Sequence, residues 1–423
     1  MSDTGLSSNT AGKATAVAVA HRPLGVRLGV EIALLTGFFM LLGTFYTGGT
    51  GTLKTAGKYA VIVVLLLILY SGIPYLVRRG MFDPRLKPAA WWFTAFAGLS
   101  AVLLVLGPSA RGATVTSHLI IYAVFFALLC SIRWTPLATT VLSWPFGLFF
   151  MFSGLLWLAS GMPMYFRGLM ANPNTLGAVA GFLLFFPLLA LHTVKTAVMR
   201  YAWWLVAAAG VVMVIVSGAR SIWLALLAAL CAWWLWPWAC RTKLRFNLTI
   251  AGLLGFAVIF TVAYALVSLL VPIGTLNEIT GGVTGEGLFS GREILWLGLM
   301  SKIAESPLLG YGPGVVPGDF LPTDLSAHNS YLTVTMQLGL LGLSAYLMLL
   351  SSIWRLFWHG RLDGRVRLAA AFFVAILVHQ VFELVFIQDK IAFNLSQWLI
   401  VGIGVGTSLN WAGNGNGVAQ PER

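Results

Sequence analysis

The sequence contains about twelve long apolar segments separated by polar connections. Each has close to the ~20 apolar residues that an α-helix needs to cross the hydrocarbon core of a bilayer. Of the 423 residues, 59% are hydrophobic and only 9% are charged, which excludes a soluble globular domain. The sequence therefore predicts an all-α integral membrane protein. The predicted spans cover 29–47, 58–77, 90–107, 115–132, 140–160, 175–193, 201–217, 220–240, 248–271, 330–356, 366–386 and 391–409.

The positive charges predict how these spans are oriented. Most of the 26 Lys and Arg residues lie in the tail 1–28 or in alternate connections between spans. The positive-inside rule makes that face cytoplasmic, and an even number of spans puts both termini on it. We therefore expect a cytoplasmic tail 1–28 without a cleavable signal peptide, a transmembrane domain 29–409 and a cytoplasmic tail 410–423. The net charge of +13 is then a topology signal, and no nucleic-acid partner is predicted.

One connection, residues 272–329, is long enough to fold over the membrane surface. It carries most of the charged residues on the outer face and is rich in Gly and Pro. This composition predicts turns around short helices, with 290–305 the best candidate. A long structured loop on a protein with otherwise short loops usually carries function.

The end of this loop holds the first candidate site residue, His328. If His328 opens the next helix, Gly339 and Gly342 fall on nearly the same helical face, deeper in the membrane. Such a stripe of small residues permits close helix packing or room for an acyl or prenyl chain. Asn329 would orient the imidazole or bind substrate. The alternative is an interfacial histidine that only hydrogen-bonds the loop.

Two arginines lie at predicted helix starts on the same side of the membrane. Arg220 follows Ser217-Gly218-Ala219, and Arg292 follows Ser290-Gly291. Free backbone N–H groups and the helix dipole favour an anion there, and a guanidinium adds bidentate phosphate binding. The pattern predicts a pyrophosphate clamp beside a general base. The alternative is that each arginine contacts lipid phosphates.

Further polar residues are weaker candidates. Arg167, Asn172 and Asn174 would bind sugar or phosphate, although Asn174 or Thr175 would equally cap the sixth span. Lys302 and Tyr311 are additional candidates for substrate binding in the loop. Glu31 and Glu383 lie within predicted spans, where ionisable groups are costly. Such groups are often functional, and the alternative is that His379, one turn before Glu383, forms a packed hydrogen bond with it. The three cysteines and the carboxylates show no metal-ligand spacing, so neither metal nor cofactor is predicted.

A family resemblance rests on the histidine segment. His328-Asn329, nine residues, Gly339, two residues and Gly342 match the His-[Asn/Ser/Gln]-X9-Gly-X2-[Gly/Thr/Tyr] pattern of the O-antigen ligases of Gram-negative bacteria. Arg220 with Leu224 resembles the Arg-X3-Leu element of that family. Ser290-Gly291-Arg292 with Leu295-Trp296 resembles the segment that carries its second essential arginine.

The resemblance implies a GT-C-like glycosyltransferase in the bacterial inner membrane, with its active site at the periplasmic face. Its donor would be a polysaccharide on undecaprenyl pyrophosphate and its acceptor a sugar hydroxyl of lipid A-core, joined with inversion and without metal. His328 would be the general base, and Arg220 and Arg292 would stabilise the leaving group. O-antigen polymerases and protein O-oligosaccharyltransferases share this donor chemistry, although the short tail after Asn410 favours a ligase. A flippase or transporter is a fourth possibility, disfavoured because no two-fold repeat is evident.

Overall fold

The structure, a computed structural model, describes residues 26–78, 83–270, 292–388 and 390–413. The predicted tails 1–28 and 410–423 lie largely outside these residues, as does the first part of the 272–329 loop, with Ser290 and Gly291. Regular structure in the described residues is helical throughout. The α-helices are α1 Val26–Gly48, α2 Gly51–Arg78, α3 Lys87–Leu106, α4 Ala110–Ser131, α5 Pro136–Ala159, α6 Pro173–Leu183, α7 Phe185–Leu191, α8 Ala197–Val216, α9 Arg220–Ala239, α10 Lys243–Leu270, α11 Arg292–Glu305, α12 Ser330–Phe357, α13 Gly364–His379 and α14 Ile391–Gly413.

Eleven candidate spans in the described residues are long and apolar enough to cross a membrane, with α6 and α7 forming one span together. The prediction of a multi-pass, all-α membrane protein is therefore confirmed. The span of α14 is 94% buried by neighbouring helices, whereas those of α8, α9 and α10 are each 28% buried. This difference places α14 at the centre of the bundle and leaves the large apolar side chains of the outer helices facing lipid.

The predicted span 366–386 is wrong in length. Its helix, α13, has 16 residues and ends at His379. At 1.5 Å per residue this is about 24 Å, which is short of the ~30 Å hydrocarbon core. Residues 380–388, which follow it, form no regular helix. Because this run is stabilised by hydrogen bonds from other elements, the apolar sequence alone did not reveal it.

The predicted continuous helical face from His328 to Gly342 is also wrong. His328 precedes α12, which begins at Ser330, and α12 is interrupted at Gly339, where φ is +63° and ψ is −167°. The loop segment 307–312 enters this interruption. Tyr311 N and Gly312 N donate to Met336 O and Gln337 O at 3.0 and 2.9 Å, while Leu340 N and Leu341 N donate to Pro307 O and Leu308 O at 2.8 and 3.2 Å.

The close packing around the interruption in α12 explains why residues 339 and 342 are both glycine. A Cβ on Gly339 would lie 2.1 Å from Leu308 O, and one on Gly342 would lie 2.2 Å from Leu338 Cβ. Only glycine combines this close approach with the left-handed backbone of residue 339. The expected room for an acyl or prenyl chain at Gly339 is therefore absent, because loop backbone occupies it.

Candidate functional site

Three charged or titratable side chains from different parts of the chain meet at one point. His328 Nδ1 lies 3.1 Å from Glu383 Oε2, and Arg292 Nη2 lies 3.8 Å from Glu383 Oε1. Arg292 Nη1 also donates to Phe382 O at 3.2 Å. The predicted pair His328 and Arg292 is thus joined through Glu383, for which a hydrogen bond to His379 was one of two expected alternatives.

Glu383 reaches His328 because the segment after α13 is hydrogen-bonded to the start of α12. Ser330 N donates to Gln380 O at 2.8 Å, and Ser330 Oγ donates to Glu383 O at 3.0 Å. Asn329 Nδ2 donates to Val381 O at 3.0 Å. Backbone groups away from water require such partners. These bonds fix residues 380–385 beside the imidazole.

Asn329 differs from the expected substrate ligand. Its side chain is fully buried, and its oxygen caps α12 by accepting from Leu332 N at 2.8 Å. Its amide nitrogen also donates to Thr261 Oγ1 at 2.9 Å. Both the oxygen and the nitrogen of its amide are thus hydrogen-bonded within the protein, and Asn329 organises the backbone around His328.

The backbone of His328 is itself strained. Its φ is +46°, a left-handed conformation that few residues other than glycine adopt. Such conformations persist only where surrounding contacts enforce them, and they cluster at functional sites. One of these contacts is from Trp296 Nε1, which donates to the preceding Ala327 O at 2.7 Å. Because Trp296 lies one turn after Arg292 in α11, the same helix positions both the arginine and the histidine.

A polar cavity of about 190 Å³ opens beside this cluster. It lies where the ends of α1, α6, α9, α11, α13 and α14 come together. The predicted residues His328, Arg292, Asn172 and Asn174 line it. The other lining residues are Thr47, Thr175, Ala178, Val179, Ser221, His379, Glu383, Val385, Lys390 and Phe393.

Arg220, Arg167, Lys302 and Tyr311 do not line the cavity. Arg220 is exposed at the first position of α9, immediately before the lining residue Ser221. Arg167 is exposed. Lys302 Nζ lies 2.8 Å from Glu305 Oε1, and Tyr311 Oη donates to Lys302 O at 2.8 Å. Lys302 and Tyr311 therefore form a separate cluster that supports α11 in this structure.

The asparagines of the 165–177 segment are placed differently from each other. Asn172, rather than Asn174 or Thr175, caps α6, because its side chain accepts from Thr175 N at 2.8 Å. Asn174 is exposed and lines the cavity without a capping role. Of the two, Asn174 has the side chain more available to a ligand.

The charges around the cavity keep Glu383 ionised. Burial raises the pKa of its carboxyl, but the hydrogen bond from His328, with the positive charges of His328, His379 and Lys390 in decreasing order, outweighs burial and holds that pKa at about 2. Arg292, Lys390 and Glu383 leave the cavity net positive, which suits an anionic ligand. Among the described residues, no group of three or more His, Cys, Asp or Glu side chains is placed to hold a metal ion.

The family model of the O-antigen ligases matches residues 204–347, from α8 into α12, a segment that contains Arg220, Arg292 and His328. Over these residues the chain is similar to the O-antigen ligases. No curated protein matches the chain significantly. The family identifies a membrane enzyme of the O-antigen ligase or polymerase type, and the resemblance found in the sequence is confirmed. Glu383, His379, Lys390 and the asparagines of α6 complete the site from outside the segment that matches the O-antigen ligases.

Proposed function

We propose that this protein transfers a glycan from undecaprenyl pyrophosphate to a sugar hydroxyl of lipid A-core, at the periplasmic face of the bacterial inner membrane. Membrane lipids surround it, and both termini are cytoplasmic. The reaction forms a glycosidic bond with inversion and releases undecaprenyl pyrophosphate. The observation that carries this proposal is the contact between His328 Nδ1 and Glu383 Oε2 at the wall of the polar cavity.

An ionised Glu383 accepts a hydrogen bond from Nδ1–H of His328 and so fixes the tautomer of the neutral ring. Nε2 is then the nitrogen with a free lone pair, able to take the proton of an acceptor hydroxyl. Among the described residues, Nε2 has no hydrogen-bond partner. As the hydroxyl oxygen attacks the anomeric carbon, His328 becomes an imidazolium that the carboxylate stabilises.

The leaving pyrophosphate gains negative charge as the sugar–phosphate bond breaks. Arg292 and Lys390 line the cavity and supply positive charge without a metal ion. Arg220, at the first position of α9, would approach the pyrophosphate from beside Ser221. Arg292 has a second task, because its contact with Glu383 ties the anion site to the general base.

The test uses purified protein in nanodiscs with a lipid-linked oligosaccharide donor and rough lipid A-core as acceptor. We expect stoichiometric release of undecaprenyl pyrophosphate, unchanged by EDTA. His328→Asn should reduce turnover by ~100-fold or more, within the range of general-base contributions. Asparagine is the preferred replacement because it tolerates the left-handed backbone. Turnover like that of the unmodified protein would refute the role of His328.

Assays with different acceptor substrates distinguish the related functions. An O-antigen polymerase would extend a second lipid-linked repeat, and a protein O-oligosaccharyltransferase would glycosylate pilin, with the same donor. A flippase would move the donor across the membrane without releasing undecaprenyl pyrophosphate. Product formed only with lipid A-core supports the ligase.

A further inference from the structure

His379 is a buried imidazole to which the reaction outlined above gives no task. It ends α13, is 1% exposed and lines the same cavity as His328 and Glu383. Within the described part of the chain, neither Nδ1 nor Nε2 has a hydrogen-bond partner. The expected hydrogen bond to Glu383 is therefore absent, since that carboxylate is directed to His328.

Leaving both ring nitrogens unpaired is costly. A buried polar group that lacks a partner loses the hydrogen bonds it would make to water, and most buried polar side chains therefore have a partner. Packing does not require a histidine here, because the ring makes an edge contact with Phe182 that a phenyl ring would also make. A polar ligand in the cavity would satisfy both nitrogens.

The chemistry of the ring indicates which ligand. Arg292 and Lys390 already line the cavity, and a fully buried imidazolium beside them would be unfavourable. A neutral ring offers one donor and one acceptor. Phosphate oxygens only accept and would leave the acceptor nitrogen unpaired, whereas sugar hydroxyls both donate and accept.

We propose that His379 binds hydroxyl groups of the donor sugar that is linked directly to the pyrophosphate. This inference rests on the proposed function, which supplies that ligand. The reacting sugar must lie between the general base and the pyrophosphate, and His379 lines the same cavity as His328, Arg292 and Lys390. Its role is recognition, while His328 carries the proton.

The test compares His379→Phe, which keeps the ring packing, with His379→Asn, which keeps a donor and an acceptor. Removing a hydrogen-bond partner of a buried ligand group should lower kcat/KM for the lipid-linked oligosaccharide by about tenfold to hundredfold in the Phe variant, mainly through KM of the donor. The Asn variant should recover part of that loss. Inhibition by undecaprenyl pyrophosphate, which lacks the sugar, should be unchanged in both.

A matched control is Gln397→Leu. Gln397 is fully buried in α14, both of its amide atoms lack partners within the described residues, and it does not line the cavity. Both His379→Phe and Gln397→Leu should preserve or raise the thermal midpoint, but only the first should change kinetics.

Three results would overturn the inference: unchanged donor kinetics in His379→Phe, weaker undecaprenyl pyrophosphate inhibition, or a change confined to KM of the acceptor. If the phenyl variant does not fold, the same comparison is made with His379→Leu. Transfer by the unmodified protein tests the proposed function separately, so the two failures are distinguishable.

Discussion

Replacing Glu383 by glutamine tests whether the carboxylate acts through His328. The substitution keeps the size of the side chain and an acceptor oxygen but removes the charge that lies 3.1 Å from Nδ1. A hydrogen bond to a charged group contributes roughly 1.5–3 kcal/mol, and a neutral one roughly 0.5–1.5 kcal/mol. The difference, about 1–2 kcal/mol, corresponds to a loss of about fivefold to thirtyfold in kcat.

An upper limit on the loss in kcat follows from the charge of the imidazolium that forms as the acceptor hydroxyl loses its proton. Two unit charges 3.1 Å apart interact by about 5 kcal/mol at an effective dielectric constant of ~20, or about ten-thousandfold in rate. The side chain of Glu383 is 21% exposed, so water screens part of this interaction. We therefore expect kcat to fall roughly tenfold to hundredfold, with KM of the donor changing less.

The assay is a double-mutant cycle on turnover, with Glu383→Gln, His328→Asn and the double variant in nanodiscs. If the carboxylate acts only by positioning and stabilising the imidazole, the double variant should match His328→Asn, because groups that act as a unit are not additive. Asp363→Asn is the control, since Asp363 is also paired with an arginine, Arg365, at 2.7 Å, but at the other end of α13. Additive losses in the double variant would refute the positioning role.

Two further predictions concern stability. Gly339→Ala should lower the free energy of unfolding by ~3 kcal/mol or more, measured as a strongly reduced thermal midpoint, because the left-handed backbone is unfavourable for alanine and the Cβ would displace segment 307–312. Gly252→Ala in α10, with nothing within 4 Å of its Cβ, should have little effect. Glu383 should stabilise the fold by up to about 3 kcal/mol above its usual pKa of 4.5, and this contribution should be lost as pH falls from 4.5 to about 2. Acid titration of unfolding should therefore show a smaller loss over this window in Glu383→Gln than in the unmodified protein.

The membrane spans could be predicted because their signal is local. About 20 consecutive apolar residues are sufficient to specify a spanning helix without reference to the rest of the chain. This held for eleven of the predicted spans, and helix 290–305 is present as Arg292–Glu305. The exception, 366–386, is apolar along its length, yet its last residues are held by hydrogen bonds that Asn329 and Ser330 donate and that Asn394 accepts. The apolar composition of a segment does not predict such tertiary contacts.

The candidate site was only partly predictable for a related reason. His328 and Arg292 were found because histidine and arginine beside predicted helix starts are unusual in an apolar chain. Glu383 was noticed as a carboxylate of functional interest, but the only partner considered for it was His379. Residues four apart share a helix face only while the helix continues. Because α13 ends at His379, the carboxylate turns to His328 instead. Ser221 and Lys390 have no pattern of their own, and only the fold brings them to the cavity.

A usable signal for both helix interruptions was nevertheless present in the sequence. Amide side chains are expensive in an apolar run unless they hydrogen-bond, and Gln337 and Gln388 each lie in or near one. Gln337 Nε2 donates to Val315 O at 2.9 Å, and Gln388 Nε2 donates to Gln337 Oε1 at 3.3 Å, so one pair of amides links the loop, the interruption in α12 and the segment after α13. Backbone that leaves the helix within apolar surroundings must find partners inside the protein. At Gln337 and Gln388, buried amides mark the interruption in α12 and the segment after α13, whereas Gln397 is buried in the unbroken helix α14. The segment after α13 lies beside the residues proposed to carry the chemistry.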